Sequence, residues 1–425
     1  MSSLTLASHQ VAAAGFQLNA QSATGLGRAF AGDAVIADNA SVMARNAAAM
    51  TLFDSHQFSG GVNVIASSID IKDIGGAGSA GIQEQNANNS ATSIVPNIYY
   101  IHRLNDKWAV GAGIYSNFGT TNNFDDSFGN NNFAKVYGGT TEITSINYTL
   151  NAAYRINEQW SIGGGLDIVQ GSGKLKRETS PNTPGTDIPV PGVGLVPSDP
   201  IGQQAVVDID ASGVGVGFNL GTVFELDENN RFGLAYHYSP TVEAKGDVKF
   251  GPNISIGGTP AVSQNSYDSI DLNLPSMLEF SGYHKIAQSK FAVHYSLQWI
   301  GWSVFDKVAT NTGQTIKDYE WKDGYHAALG GTYYLSNEWT LRAGYMYDTA
   351  AQDKLTSISV PDSDRQWFSF GAGYHFKKHH TVDLGVTYLM GKDVSVTESN
   401  PLAPDLTATT HANAWLAGIQ YSYSF

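Results

Sequence analysis

Apolar residues occupy alternate positions along much of this chain, and the alternation recurs from residue 54 to the C-terminus. At the end of the chain, Trp415, Ala417, Ile419, Tyr421, Tyr423 and Phe425 form one face, while Gly418, Gln420, Ser422 and Ser424 form the other. Val382, Leu384, Val386, Tyr388 and Met390 alternate with Asp383, Gly385, Thr387 and Gly391. Phe291, Val293, Tyr295, Leu297 and Trp299 alternate with His294, Ser296 and Gln298, and segments at 160–168 and 339–345 repeat the pattern. A period of two is the signature of a β-strand whose faces meet different surroundings. Each of these runs covers about nine residues or more, the length of a tilted strand that crosses a bilayer.

Short polar turns at 104–106, 157–159, 227–230, 287–289, 336–338 and 377–379 are each followed closely by Trp108, Trp160, Phe232, Phe291, Trp339 or Val382. Between them lie longer stretches rich in Asn, Gly, Pro and Asp, roughly 67–93, 119–140, 178–211, 249–267, 308–318, 350–364 and 398–411. Six short turns alternating with seven long connections predict an all-β fold, a 14-stranded antiparallel transmembrane barrel over 54–425. The first strand is placed at roughly 54–66 and the last at roughly 411–425, paired to each other. Both ends then lie on the short-turn side, the periplasmic side of an outer-membrane barrel.

Residues 14–53 break the pattern. They lack strand alternation and are rich in Ala and Gly, and Asp38 to Arg45 reads as a capped short helix. Few charges and small side chains favour burial, so this segment is expected to form a lumenal hatch with short helices. Residues 1–13 read as the remnant of a signal peptide ending in Val11-Ala12-Ala13-Ala14, without the basic and apolar regions of a complete one.

Composition supports the same class. Charged residues make up 15% and the hydrophobic fraction is 42%, while Gly (46), Tyr (21) and Phe (19) are abundant. No run approaches the apolar length of a membrane helix, but a barrel whose strands are half lipid-facing and half lumenal averages to an ordinary hydropathy. The absence of cysteine suits export through an oxidising compartment. A formal net charge of −14 disfavours nucleic acid as a partner.

Distinctive stretches run through the chain: Gly15-Phe16-Gln17-Leu18-Asn19, Ser22 to Gly32, Ile36 to Ala40 and Ala44 to Ala48. Others are Ser116-Asn117-Phe118-Gly119, Gly138 to Thr141, Phe224 to Asp227, Asn273-Leu274-Pro275, His294-Tyr295-Ser296 and Ile358 to Asp362. On these stretches the chain resembles the FadL family of outer-membrane long-chain fatty acid transporters, over essentially all of 14–425. The resemblance implies a monomeric barrel in the bacterial outer membrane, plugged by an N-terminal hatch and working by passive diffusion. It implies ligand capture at the outer loops, binding in the lumen, and sideways release near a kink in the third strand. The implied partners are long-chain fatty acids or other hydrophobic molecules, outer-membrane lipids and lipopolysaccharide, and the barrel assembly machinery. No cofactor and no metal are implied. Two departures stand out. The family's Asn-Pro-Ala is Asn46-Ala47-Ala48 here, and the 178–211 loop is Pro-rich and reads as less helical than its counterpart.

A fatty acid requires an apolar slot and a cationic end. Tail burial contributes about 0.8 kcal/mol per CH₂, and the carboxylate needs Arg or Lys. By motif position, Arg177 in Lys174-Leu175-Lys176-Arg177 and Lys317, counted from Asp323-Gly324-Tyr325, take the places of the family's lumenal carboxylate partners. Phe16 takes the place of the aromatic residue that reaches the pocket, and Asn117-Phe118-Gly119 that of the kink. The plainer alternatives are rim charges, a packing residue and a strand end. His237, His294 and His326 with Asp167, Glu225 and Glu279 read as satisfied lumenal side chains, and the glycines at 163–165 as sites of close packing.

Rival readings are an outer-membrane lipase or protease barrel, a loop-based adhesion protein, and uptake of aromatic hydrocarbons by the same fold. Gly-x-Ser-x-Gly and His-Glu-x-x-His are both absent. The terminal face ending in Tyr421, Tyr423 and Phe425 has the form of an assembly signal. Deleting Phe425 is therefore expected to lower the folded, heat-modifiable population on gels, and an unchanged population would count against that role.

Overall fold

The computed structural model describes residues 15–76 and 86–425, so the sequence readings at 1–14 and 77–85 lie outside the described residues. Fourteen antiparallel strands close into a barrel. They are β1 (Gln57–Gly76), β2 (Ala87–Arg103), β3 (Trp108–Tyr115, resuming at Gly119–Asn123), β4 (Thr140–Arg155) and β5 (Trp160–Glu178). Next come β6 (Ala205–Asp227), β7 (Asn230–Tyr238 and Thr241–Phe250), β8 (Asn265–Asn273 and Met277–Lys285) and β9 (Phe291–Ile300 and Lys307–Thr310). The last are β10 (Thr315–Asp318 and Gly324–Tyr334), β11 (Trp339–Asp348), β12 (Arg365–Phe376), β13 (His380–Gly391 and Val394–Asn400) and β14 (Ala403–Ser424). Closure runs between β1 and β14, with Gln57 opposite Ser424 and Ile71 opposite Thr410.

The outward face is apolar and exposed: Leu150, Leu166, Val216, Leu220, Leu329, Phe370 and Ile419 all point away from the core. Such a continuous surface suits hydrocarbon rather than water. Trp108, Trp160, Phe291 and Trp339 line the short-turn rim, while Tyr325 and Tyr345 lie nearer the long connections, as aromatic girdles do.

The strands are longer than the sequence predicts. β1 runs to Gly76 and β2 starts at Ala87, inside the expected 67–93 connection. The 308–318 stretch is largely the ends of β9 and β10, and β14 begins at Ala403 rather than near 411. The ladder continues past the lipid boundary through pairs such as Ser68–Ser90 and Asp70–Asn88. There the outward face carries Ser68, Asp70, Asn88 and Ser90 while Ile69 and Ile71 stay buried inside, so polar composition persists without ending the backbone pairing.

Residues 15–53 are enclosed by the barrel and almost wholly buried. Ser22 caps the short helix α1 (Ala23–Leu26), Asn39 caps a 3₁₀ turn at Ala40–Ala44, and Asn46 caps another at Ala47–Leu52. The helix expected from Asp38 is thus a 3₁₀ turn, and its cap is Asn39, whose side chain accepts from Ser41 N at 3.1 Å. Ala47 stands at the first position of its turn, where proline's missing N–H would cost nothing. The Asn-Ala-Ala departure therefore leaves the turn intact.

Small residues on the wall let this segment approach. A Cβ at Gly344 would lie 2.1 Å from the carbonyl oxygen of Arg28, and one at Gly163 2.5 Å from Ala48 N. Ion pairs, most of them buried, then fix it. Arg28 meets Asp33 and Asp38, each at 2.7 Å, and Arg45 reaches Glu279 of β8 at 3.2 Å. Arg342 of β11 bridges Asp38 (3.3 Å) and Asp383 of β13 (2.8 Å). Removing one partner of such a pair costs about 3–5 kcal/mol, because the other charge is left buried.

Gly344→Ala is expected to destabilise the protein by about 1–3 kcal/mol through overpacking. Gly331→Ala, whose Cβ would meet nothing nearer than 3.7 Å, should stay within about 0.5 kcal/mol. Thermal unfolding followed by gel mobility checks this, and equal midpoints would show that the contact is slack.

Candidate binding site

Two interruptions in the wall aim four aromatic side chains inward. The break in β9 carries Trp302 and Phe305, and the break in β10 carries Tyr319 and Trp321. Phe16 of the N-terminal segment sits fully buried among them. Its ring centroid lies 4.6 Å from that of Trp302, 5.0 Å from Phe305, 5.7 Å from Trp321 and 6.2 Å from Phe118. The preceding Gly15 has φ +63, and a Cβ there would fall 2.6 Å from Trp321 and 2.7 Å from Trp302, so the chain turns tightly into this box. Val169, Ile209, Val242, Ile270, Leu272 and Ile300 extend the apolar lining. Among the described residues, the buried indole N–H groups of Trp302 and Trp321 find no acceptor.

Arg177 and Lys317 stand close to this lining, which includes Leu175 and Ile316 at its partly buried edge. Arg177 is 6% exposed and donates to Thr140 O, Lys176 O and Thr141 Oγ1, each at 2.7 Å. Among the described residues it makes no ion pair. The titratable groups whose field reaches it are Tyr319 and Glu398. Lys317 differs: its ammonium is bonded to Glu398 Oε1 and to Ser357 Oγ at 3.0 Å, and lies 5.5 Å from the Tyr319 ring centre. The structure thus places both cations in one neighbourhood, one paired and the other not.

The Ser357 loop is fastened at its ends. Asp362 accepts from Ala351 N (2.6 Å) and Gln352 N (3.1 Å). Partial burial would raise the pKa of Asp364, but Ala350 N–H, Lys392 and the Tyr347 hydroxyl outweigh it and hold the carboxyl down at about 2.

Ser116 to Phe118 interrupt β3. Below that point β2 and β3 are paired from Ile98–Ile114 to Arg103–Ala109. Above it, β3 pairs with β4 from Gly119–Thr144 to Asn123–Thr140, and no ladder to β2 is formed among the described residues. Thr120, Thr121 and Asn122 turn inward and are buried. The N-terminal segment docks on this break, with Leu18 N donating to Asn117 O (2.6 Å) and Gly119 N to Phe16 O (2.8 Å). Asn46 holds the segment elsewhere, donating to Ala34 O (2.9 Å) and to Thr222 O of β6 (3.0 Å).

The lumenal histidines and carboxylates have local partners. His237 bonds Arg45 O at 3.0 Å, His326 faces Asp348 at 3.0 Å, and His294 bonds Thr332 at 3.0 Å. Glu279 is paired with Arg45, and Glu225 with Arg155. Asp167 accepts from Asn219 at 3.1 Å.

Over residues 4–425 the sequence matches the family described as outer membrane protein transport protein (OMPP1/FadL/TodX). A long-chain fatty acid transport protein of Escherichia coli O6:H1 is 37% identical over 446 residues, covering 99% of this chain and 97% of that one. Outer membrane protein P1 of Haemophilus influenzae is 36% identical over 464 residues, with the same coverage. The chain belongs to the OMPP1/FadL/TodX family. It is an outer-membrane transport barrel and not an enzyme. The fold agrees: a Pseudomonas aeruginosa FadL homologue superposes with a TM-score of 0.80 at 22% identity, over 97% of this chain and 100% of that one. The Pseudomonas putida toluene transporter TodX gives 0.66 at 19% identity, covering 91% and 94%.

Motif position singled out Phe16, Arg177, Lys317 and Asn117-Phe118-Gly119, which the structure places in or beside this cluster and at the β3 break, but not Trp302, Phe305, Tyr319, Trp321 and Glu398. A signal for some was present. Ile300 and Trp302 continue the phase of His294, Ser296 and Gln298, and Val169 continues that of Asp167, so an apolar residue in the polar phase marks where the lumen turns greasy. The 178–211 stretch holds a small hairpin, Asp187–Val190 with Gly194–Pro197, in keeping with its non-helical sequence.

Phe16→Ala empties the aromatic box and is expected to cost about 3–5 kcal/mol. Hydrogen exchange over residues 15–30 should rise while the barrel ladder stays protected. Unchanged exchange would mean that the ion pairs alone hold the segment.

Proposed function

We propose that this barrel carries long-chain fatty acids passively across the outer membrane. The observation that carries the reading is Arg177, a buried guanidinium without an ion-pair partner among the described residues, beside a long apolar lining. Three of its five N–H donors go to neutral oxygens, which leaves two donors and the full charge for a carboxylate. An aromatic hydrocarbon would give that charge nothing to pair with. The curated relative named as a long-chain fatty acid transport protein supports the same substrate class.

In this reading the outer loops gather the ligand and the tail enters beside the box that Phe16 fills. Residues 15–53 act as a hatch. Because buried ion pairs tie the hatch to β8 and β11, a straight path through it would break several of them. Exit sideways costs less, since β2 and the outer half of β3 are not joined by a ladder. The ligand therefore leaves at Asn117-Phe118-Gly119 into the membrane, driven only by its concentration gradient.

Arg177→Ala is expected to weaken oleate binding by about 1.5–3 kcal/mol, roughly ten- to 150-fold. An alcohol of the same chain length should lose much less. Equal losses for acid and alcohol, measured by titration calorimetry in detergent, would mean that Arg177 shapes the slot rather than reading the carboxylate.

A further inference from the structure

The cationic end of the slot already contains a carboxylate. Glu398 of β13 is 8% exposed, and its Oε1 is held by Lys317 and by Ser357 Oγ at 3.1 Å. Its Oε2 accepts from Ile358 N at 3.1 Å. Glu398 therefore does two jobs at once: it neutralises Lys317 and anchors the backbone at Ser357-Ile358. With Arg177 and Lys317 positive and Glu398 negative, the cluster carries one uncompensated positive charge, the complement of a single monoanion.

That anchored strip leads to the β2–β3 seam. Asn122, just beyond the β3 break, donates to Ile358 O at 2.9 Å and Ser359 O at 3.2 Å. Its own Oδ1 accepts from Asn89 of β2 at 2.6 Å. Asn89–Asn122 is thus a side-chain bond across the stretch where the ladder between β2 and β3 is missing. A continuous set of polar contacts runs from Lys317 through Glu398, the 357–359 strip and Asn122 to Asn89.

We propose that Glu398 is an internal competitor for the ligand's carboxylate, and that its displacement from Lys317 loosens the β2–β3 seam. The proposal rests on the fatty-acid reading above. An incoming carboxylate takes Lys317 and Arg177, and Glu398 loses its cation and faces a like charge. It moves away, the strip that it anchors follows, and Asn122 loses the two carbonyls that position it. A neutral hydrophobic molecule enters the same slot without triggering this exchange. The seam then responds to the headgroup and not merely to occupancy, so release is coupled to a correctly seated acid.

The chain contains no cysteine, so spin labels on Ser90→Cys and Asn123→Cys, both exposed positions flanking the seam, report its width in the full-length protein. Oleate should lengthen the distance between the labels, and oleyl alcohol should leave it unchanged. In Glu398→Gln, oleate should bind about tenfold tighter, since a like charge is gone from its site. The amide holds the same strip, its oxygen accepting from Ile358 N and its NH₂ donating to Ser357 Oγ, so the label distance should no longer respond to oleate. Unchanged oleate affinity with an unchanged distance response in Glu398→Gln overturns the proposal. The wild-type comparison needs no change at Glu398: a seam that widens with both ligands, or with neither, overturns it as well. Failure of the underlying reading is seen separately, as an Arg177→Ala variant that loses acid and alcohol binding equally.

Discussion

A backbone amide left unpaired in hydrocarbon costs several kcal/mol, and that single cost dictates most of this architecture. It forces the sheet to close, so Gln57 at the start of β1 meets Ser424 at the end of β14. It also forces the irregular parts of the wall away from lipid. The breaks in β9 and β10 turn inward, where other side chains cover them, and their aromatic residues become part of the apolar cluster around Phe16. At the β3 break the freed groups bond the N-terminal segment instead, through Leu18 N and Phe16 O. Binding lining and seam are thus two outcomes of one rule, that a strand departs from the ladder only where something else can satisfy it.

The lumen solves a second problem in the opposite way. A polar interior sealed from water must pair its charges, and it does so with the N-terminal segment as the other half. Arg28, Asp33, Asp38 and Arg45 from that segment interlock with Glu279, Arg342 and Asp383 from the wall. Arg177 stands apart from this economy of charge, and that contrast underlies its proposed role as a ligand's partner.

Much of the barrel was legible in the sequence, because lipid imposes a strict period of two and the short turns have strong polar signatures. Strand ends were not legible: at Ser68–Ser90 the outward face is polar, so composition says loop while pairing says strand. Within the site, Phe16 and Arg177 were found only through family motifs, since nothing in alternation separates a lumenal Arg from a rim Arg. Trp302 could have been found by phase alone. Glu398 could not, because its meaning depends on Lys317, 81 residues away in the chain, and on a loop that folds back between them.

The enclosed N-terminal segment also governs how the chain can be put together. Leu26 O accepts from Thr387 across a separation of 361 residues, and Ala23 N donates to Gln420 across 397. Contacts this distant in sequence are slow to form, since long loops must close before any of them is rewarded. The portion synthesised first has its partners among those synthesised last, so the enclosed segment completes its packing only once β13 and β14 are in place.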